Sequence, residues 1–252
     1  ISSNVWVRIK QLTGPKADHY WRISDSSWTL QGAPEVWNNI PEYGYLSPSA
    51  TWWQLNTTPW ATGEIYEMNI RVQDKASNFQ LVYSTVTNIK ADFTPPVSKV
   101  TLPVDGETYG DTPLPTISGT CYDSSPGEID TVRVKLAYTG DTPGGTEARW
   151  FNGSSWQDTE VWIPISSVTV LSNSTWYYVW PENYYENKKY YTVRCYAIDK
   201  AGNIETLTAK STFYYEAPYP TTQITSPGDG SHLRSKPQVI SGSANKFTTA
   251  DP

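Results

Sequence analysis

The 252-residue chain carries two cysteines, Cys121 and Cys195, and two histidines, His19 and His232. These four are spread too widely to match a zinc-ligand spacing. No Gly-x-Ser-x-Gly, no phosphate-binding loop and no Gly-x-Gly-x-x-Gly after a strand occurs, and no pattern marks two acidic residues as facing carboxylates. The reading is therefore of a protein that is not an enzyme. Oxygen ligands are the remaining chemistry. Asp74 and Asn78, and Asp199 and Asn203, stand in two turns, and with Asp92 or Asp123 they would offer ligands to Ca2+ at a domain junction. The same residue types also serve plain turn chemistry, so both readings stay open. No other cofactor is expected.

Aromatic residues offer stacking surfaces. Of the 12 tryptophans, Trp21, Trp28, Trp37 and Trp52 recur as Trp150, Trp156, Trp162 and Trp176, and packing within the domains accounts for them. Trp6, Trp53, Trp60 and Trp180 have no such counterpart and are the candidates for glycan or partner contacts. Asn56, Asn152 and Asn173 each open an N-glycosylation sequon, of consequence only where the source glycosylates exported proteins.

The elements that position these residues come from a repeat. Tyr191-Thr-Val193-Arg-Cys195-Tyr-Ala197-Ile-Asp199-Lys-Ala-Gly-Asn203 alternates with period two and stops in a turn. That is a strand entering a hairpin. The phrase occurs earlier as Tyr66-Glu-Met68-Asn-Ile70-Arg-Val72-Gln-Asp74-Lys-Ala-Ser-Asn78, at an offset of 125. A strand with Val5, Val7 and Ile9 on one side recurs with Val132, Val134 and Leu136. Frequent turns between β-branched and aromatic runs indicate an all-β protein.

Net charge is −6 and only 17% of residues are charged, which argues against a nucleic-acid or anionic-membrane partner. No apolar run reaches the roughly 20 residues of a membrane span. No secretory leader pattern opens the segment, which begins at Ile1 and reads as a mature chain or a fragment. Low lysine with abundant Thr, Tyr and Trp inclines toward an extracellular surface.

Residues 94–216 read as one complete repeat, entered through the Pro95-Pro96 joint. Residues 1–93 are the back of a repeat, and 217–252 the front of another. Either the chain is a window on a longer array, or the front in one copy completes the back in its neighbour, giving a head-to-tail fibre.

With Pro95-Pro96, Asp105-Gly106, Ile117-Ser-Gly-Thr-Cys121, the Tyr191–Asp199 strand and Ala201-Gly-Asn203 in view, the chain resembles the bacterial immunoglobulin-like repeats of large surface proteins and adhesins. Its tryptophan-rich middle departs from their phrasing. The resemblance implies tandem immunoglobulin-like β-sandwiches, one complete and one split between the chain's two ends. It also implies that Cys121 and Cys195 face each other across the core as an inter-sheet disulfide. Their counterparts in the other repeat, Ala244 and Ile70, are both apolar, as joint loss of a bridge would leave them. The implied function is that of an extracellular filament, stalk or adhesin shaft. Its partners are copies of itself or adjoining repeats, with a carbohydrate-binding or adhesive module as the alternative.

Overall fold

A computed structural model describes residues 4–40, 59–110, 114, 116–143, 145–165, 173–180, 184–217, 221–236 and 239–245. The chain is all-β and divides into two units. The first takes residues up to Pro95 with the segments 123–128 and 200–203; the second takes Pro96–Tyr122, Ile129–Asp199 and Ile204 onward.

The first unit contains β1 (Asn4–Gln11), β2 (Trp21–Arg22), β3 (Ser27–Trp28), β4 (Asn38–Ile40), β5 (Glu64–Gln73) and β6 (Ser84–Ala91). One antiparallel sheet runs β4-β1-β5-β6, and β2 pairs with β3. Alternation in β1 buries Val5, Val7 and Ile9 on one face, as the sequence predicts. Trp21, Ile40, Tyr66 and Ala91 complete this core, with Trp28, Trp60, Met68 and Ile70 half-buried against it.

The second unit contains β7 (Val97–Leu102), β8 (Thr108–Tyr109), β9 (Thr116–Tyr122), β10 (Ile129–Gly140), β11 (Arg149–Phe151), β12 (Trp156–Gln157), β13 (Ile163–Ile165), β14 (Asn173–Val179), β15 (Lys189–Asp199) and β16 (Ala209–Tyr215). It also includes the two-stranded sheet of β17 (Thr221–Ser226) and β18 (Ser241–Asn245). One large sheet runs β12-β11-β10-β15-β16-β8, with β13 also on β10; a second runs β14-β9-β7. Ile117, Cys121 and Trp176 from the small sheet share a core with Val132, Val134, Leu136, Tyr191, Val193, Cys195, Ala197 and Phe213 from the large one. Two sheets facing across one apolar layer make a β-sandwich.

The sequence repeat reappears as identical strand register. In the first unit Val5 pairs Val72, Val7 pairs Ile70, Ile9 pairs Met68 and Gln11 pairs Tyr66. In the second, Val132 pairs Ala197, Val134 pairs Cys195, Leu136 pairs Val193 and Tyr138 pairs Tyr191. The short strand on the other edge matches too, Val5 to Ile40 against Val132 to Ile165. Register of this kind is held by the alternation, because a slip of one residue would turn every core side chain to the wrong face. Each unit also ties a buried tyrosine to its own incoming loop. The Tyr66 hydroxyl accepts the Ala61 N–H at 2.9 Å, and the Tyr191 hydroxyl accepts the Glu186 N–H at 2.7 Å.

Candidate functional site

The two hairpin turns singled out in the sequence come out differently. After β5, Asp74 is exposed and both its oxygens are engaged, accepting the Asn78 N–H at 2.8 Å and the Asn78 side-chain amide at 3.0 Å. Those hydrogen bonds hold the Asp74 carboxyl below the ordinary aspartate range. This turn is closed by local hydrogen bonds, one to each carboxylate oxygen. After β15, Asp199 is buried, and Asn203 turns its amide toward the Asp92 carbonyl at 3.1 Å.

Asp92, directly after β6, and Asp123, directly after β9, are also buried. Asp92, the 123–128 segment and the 200–203 segment belong to the first unit, whereas Asp199 closes β15 of the second. One carboxylate oxygen of Asp92 and one of Asp123 lie within 4.8 Å of each other. Thr94 fixes the Asp92 side chain by donating its N–H (3.1 Å) and hydroxyl (2.8 Å) to Oδ1. Asp92 Oδ2 is buried with no hydrogen-bond partner among the described residues.

Gly127 leaves the space these oxygens point into. A Cβ there would stand 2.4 Å from Asp123 Oδ2 and 2.5 Å from Asp92 Oδ2. A cleft of about 340 Å³ opens beside it, lined by Lys90, Asp92, Gly127, Glu128 and Lys200 among others. The two lysines are already engaged: Lys90 pairs with Glu128, and Lys200 does so at 2.7 Å. Hydrogen bonds from Lys200 and Lys90 hold the Glu128 carboxyl down to about 2.

The cysteines correct an expectation. Cys121 and Cys195 are both buried free thiols, not a disulfide. Each has its own contact: the Cys121 thiol donates to the Ser174 carbonyl at 3.6 Å, and Cys195 Sγ lies 3.3 Å from the Ser98 hydroxyl. Burial pushes the Cys121 thiol up to about 11 and the Cys195 thiol up to about 12. Both behave as small apolar core residues, which is why Ile70 and Ala244 can stand in their places.

One of the four unpaired tryptophans is corrected as well. Trp180, expected on the surface, is fully buried, with the ring of Phe151 at 4.1 Å and that of Tyr185 at 5.3 Å. Trp60 packs half-buried, edge-on against Tyr66 at 4.8 Å. Trp6 is half-buried on the outer face of β1, edge-on to Phe79 at 6.0 Å. Trp53 and the sequon residue Asn56 lie outside the described residues. Asn152 is exposed in the turn between β11 and β12, where its Oδ1 accepts the Ser154 and Ser155 N–H groups, each at 2.9 Å. Asn173 opens β14.

Sequence reasoning missed one duplicated contact on the outer sheet faces. In the first unit the Arg8 guanidinium lies 5.2 Å above the Trp37 ring and pairs with Glu35, which also accepts the Trp37 indole N–H at 3.4 Å. In the second, the Lys135 ammonium lies 4.9 Å above Trp162 and 3.4 Å from Glu160, which accepts the Trp162 indole N–H at 2.8 Å. The repeated Glu-Val-Trp phrase was the available signal: its Trp shields a buried cation and its Glu neutralises it.

No protein-family model matches the chain, and no curated protein is significantly similar to it.

Proposed function

We propose that this is an extracellular structural protein, a tandem array of immunoglobulin-like sandwiches serving as a surface filament, stalk or adhesin shaft. The paired Tyr66 and Tyr191 hydroxyl-to-backbone ties support the immunoglobulin-like assignment, since such a corner is a hallmark of that sandwich. The extracellular placement rests on composition.

One observation carries the head-to-tail part. Ile117 of β9 is 0% exposed, whereas its repeat counterpart Ile240, directly before β18, is 73% exposed. The β7–β9 pair covers the core of the second unit, and β17–β18 is the same pair in the next repeat, with no core beneath it among the described residues. The first unit shows the converse. Ala197 of the second unit is buried, but its counterpart Val72 is 43% exposed, and Val86, opposite Met68 on β6, is 50% exposed. A β17–β18 hairpin laid over the β5–β6 face of a second copy would bury both surfaces. Because the donor and acceptor patches differ, the contact is heterologous and propagates.

Sedimentation and electron microscopy of the 252-residue chain test this. The expected result is linear assembly that Ile240→Lys and Val72→Lys each abolish. An equimolar mixture of the two variants should stop at dimers, since only one good hairpin and one good sheet remain. A wild-type chain that stays monomeric at high concentration would overturn head-to-tail assembly. A fluorescence titration with polysaccharides checks the adhesive alternative; saturable quenching would favour it.

A further inference from the structure

We propose that Gln80 sets the register in which the first unit receives β17 of a second copy, its side-chain oxygen accepting from Thr222 of that copy. The proposal rests on the head-to-tail reading and supplies the contact that makes it selective. Its template is the complete repeat, where Glu205 joins front to back. Glu205 Oε1 accepts the Ser98 N–H of β7 at 2.9 Å. Oε2 accepts the Ser98 hydroxyl at 2.6 Å and the Ala197 N–H of β15 at 2.9 Å. One carboxylate thereby ties β7 to β15 at a single residue of each strand.

Both halves of this latch recur, on separate pieces. Gln80 stands where Glu205 does, at the offset of 125 that also relates Val72 to Ala197. Its N–H donates to the Val72 carbonyl at 2.9 Å, as the Glu205 N–H does to the Ala197 carbonyl at 3.0 Å. Thr222 stands where Ser98 does. Ser98 pairs Cys121 and Thr222 pairs Ala244, and each strand carries the same register shift, between Val100 and Leu102 and between Ile224 and Ser226. Gln80 and Thr222 are both exposed. The Gln80 side-chain nitrogen donates to the Val82 carbonyl, so Oε1 is the atom that remains to accept.

The donor already has its docked shape. Beyond β17 the Ser231 N–H donates to the Gly228 carbonyl at 3.1 Å, as Glu107 does to Val104 at 3.3 Å. Gly230 and Gly106 are both left-handed, at φ 68° and 82°. In the complete repeat this turn leads into β8, a parallel edge strand on β16. The counterpart of β16 in the first unit, β6, is the open edge of its sheet among the described residues. A hairpin that keeps its shape loses little entropy on docking. The two latches differ in strength. Glutamine offers one neutral oxygen where Glu205 offers two charged ones, so the contact between copies is the weaker form and a glutamate at position 80 would strengthen it.

The test uses whole chains that stop at dimers. An Ile240→Lys chain supplies the sheet, a Val72→Lys chain supplies the hairpin, and analytical ultracentrifugation of the mixture gives the Kd. On the sheet chain, Gln80→Ala should weaken the dimer about 5-fold, the worth of one neutral hydrogen bond, and Gln80→Glu should tighten it about 10-fold. Thr222→Val on the hairpin chain keeps the shape and removes the hydroxyl, so it should cancel most of the Gln80→Glu gain. Because both positions are exposed, each chain alone should keep its melting temperature, which separates a lost latch from a lost fold. A dimer that neither Gln80 substitution alters would overturn the latch and leave head-to-tail assembly standing. So would a Gln80→Glu gain that Thr222→Val leaves undiminished. Parent chains that form no dimer would overturn both.

Discussion

Trp180→Ala separates a core tryptophan from a stacking platform. The side chain is 1% exposed and touches four other aromatic rings, with centroids at 4.1 Å (Phe151), 5.3 Å (Tyr185), 6.0 Å (Trp156) and 6.4 Å (Tyr178). A fully buried tryptophan removes on the order of 200 Å² from water, or about 5 kcal/mol at about 25 cal/mol per Å². A compact unfolded state lowers that figure, and Trp-to-Ala truncations in cores cost about 3–5 kcal/mol. For a unit of this size the melting temperature should fall by roughly 10–20 °C. Trp180→Phe is the control. Its ring keeps most of the apolar contact and removes an indole N–H that has no hydrogen-bond partner among the described residues. It should cost less than about half as much as alanine. Urea titration followed by far-UV circular dichroism gives both values. A Trp180→Ala chain that lost under about 1 kcal/mol would refute the packing argument. It would return Trp180 to the surface.

Three further outcomes are expected. Cys121 and Cys195 should resist thiol reagents in the native chain at mildly alkaline pH and react together on unfolding; rapid native labelling, or a mass deficit of two hydrogens removed by reductant, contradicts this. Burial alone would raise the Glu147 carboxyl, but hydrogen bonds from Lys135 (2.8 Å) and Arg194 (2.7 Å) more than offset it and leave the group below the ordinary glutamate range. Its stabilisation is therefore present above about pH 4.3 and is lost as pH falls through the lowered value. Glu147→Gln should cost about 1–3 kcal/mol at neutral pH and flatten the acid limb of the stability profile; an unchanged limb counts against the network. Gly119→Ala would place a Cβ 1.9 Å from the Lys99 carbonyl and 2.3 Å from the Trp176 ring, and should lower the denaturation midpoint by an amount equivalent to about 2–3 kcal/mol; wild-type stability would show that β9 can shift.

Period-two alternation made the strands legible, because Val5, Val7 and Ile9 in β1, Val132, Val134 and Leu136 in β10, and Tyr191, Val193, Cys195 and Ala197 in β15 each sit two from the next. The repeat then made the pairing legible, since Val7–Ile70 and Val134–Cys195 are one contact written twice. Asp92, Asp123 and Asp199 were readable as oxygen donors by residue type. Asp74 was readable as the same thing, and in the structure it is exposed and hydrogen-bonded to Asn78. A turn phrase is identical whether or not its carboxylate is later buried. The missing counterpart of Trp180 suggested a free surface, yet the ring is buried in the core of the second unit against Phe151, Tyr185, Trp156 and Tyr178. Absence from the other repeat reports a difference in packing as readily as a difference in function.

The all-β class, the duplicated register and the chemistry available at each turn were thus determined by the sequence itself, through local periodicity and residue type. The tertiary structure decided which carboxylates converge on Gly127, that both thiols stay unbonded, and which tryptophans lie inside. Those outcomes depend on groups far apart in the chain being brought within a few ångströms, a distance no local spacing encodes.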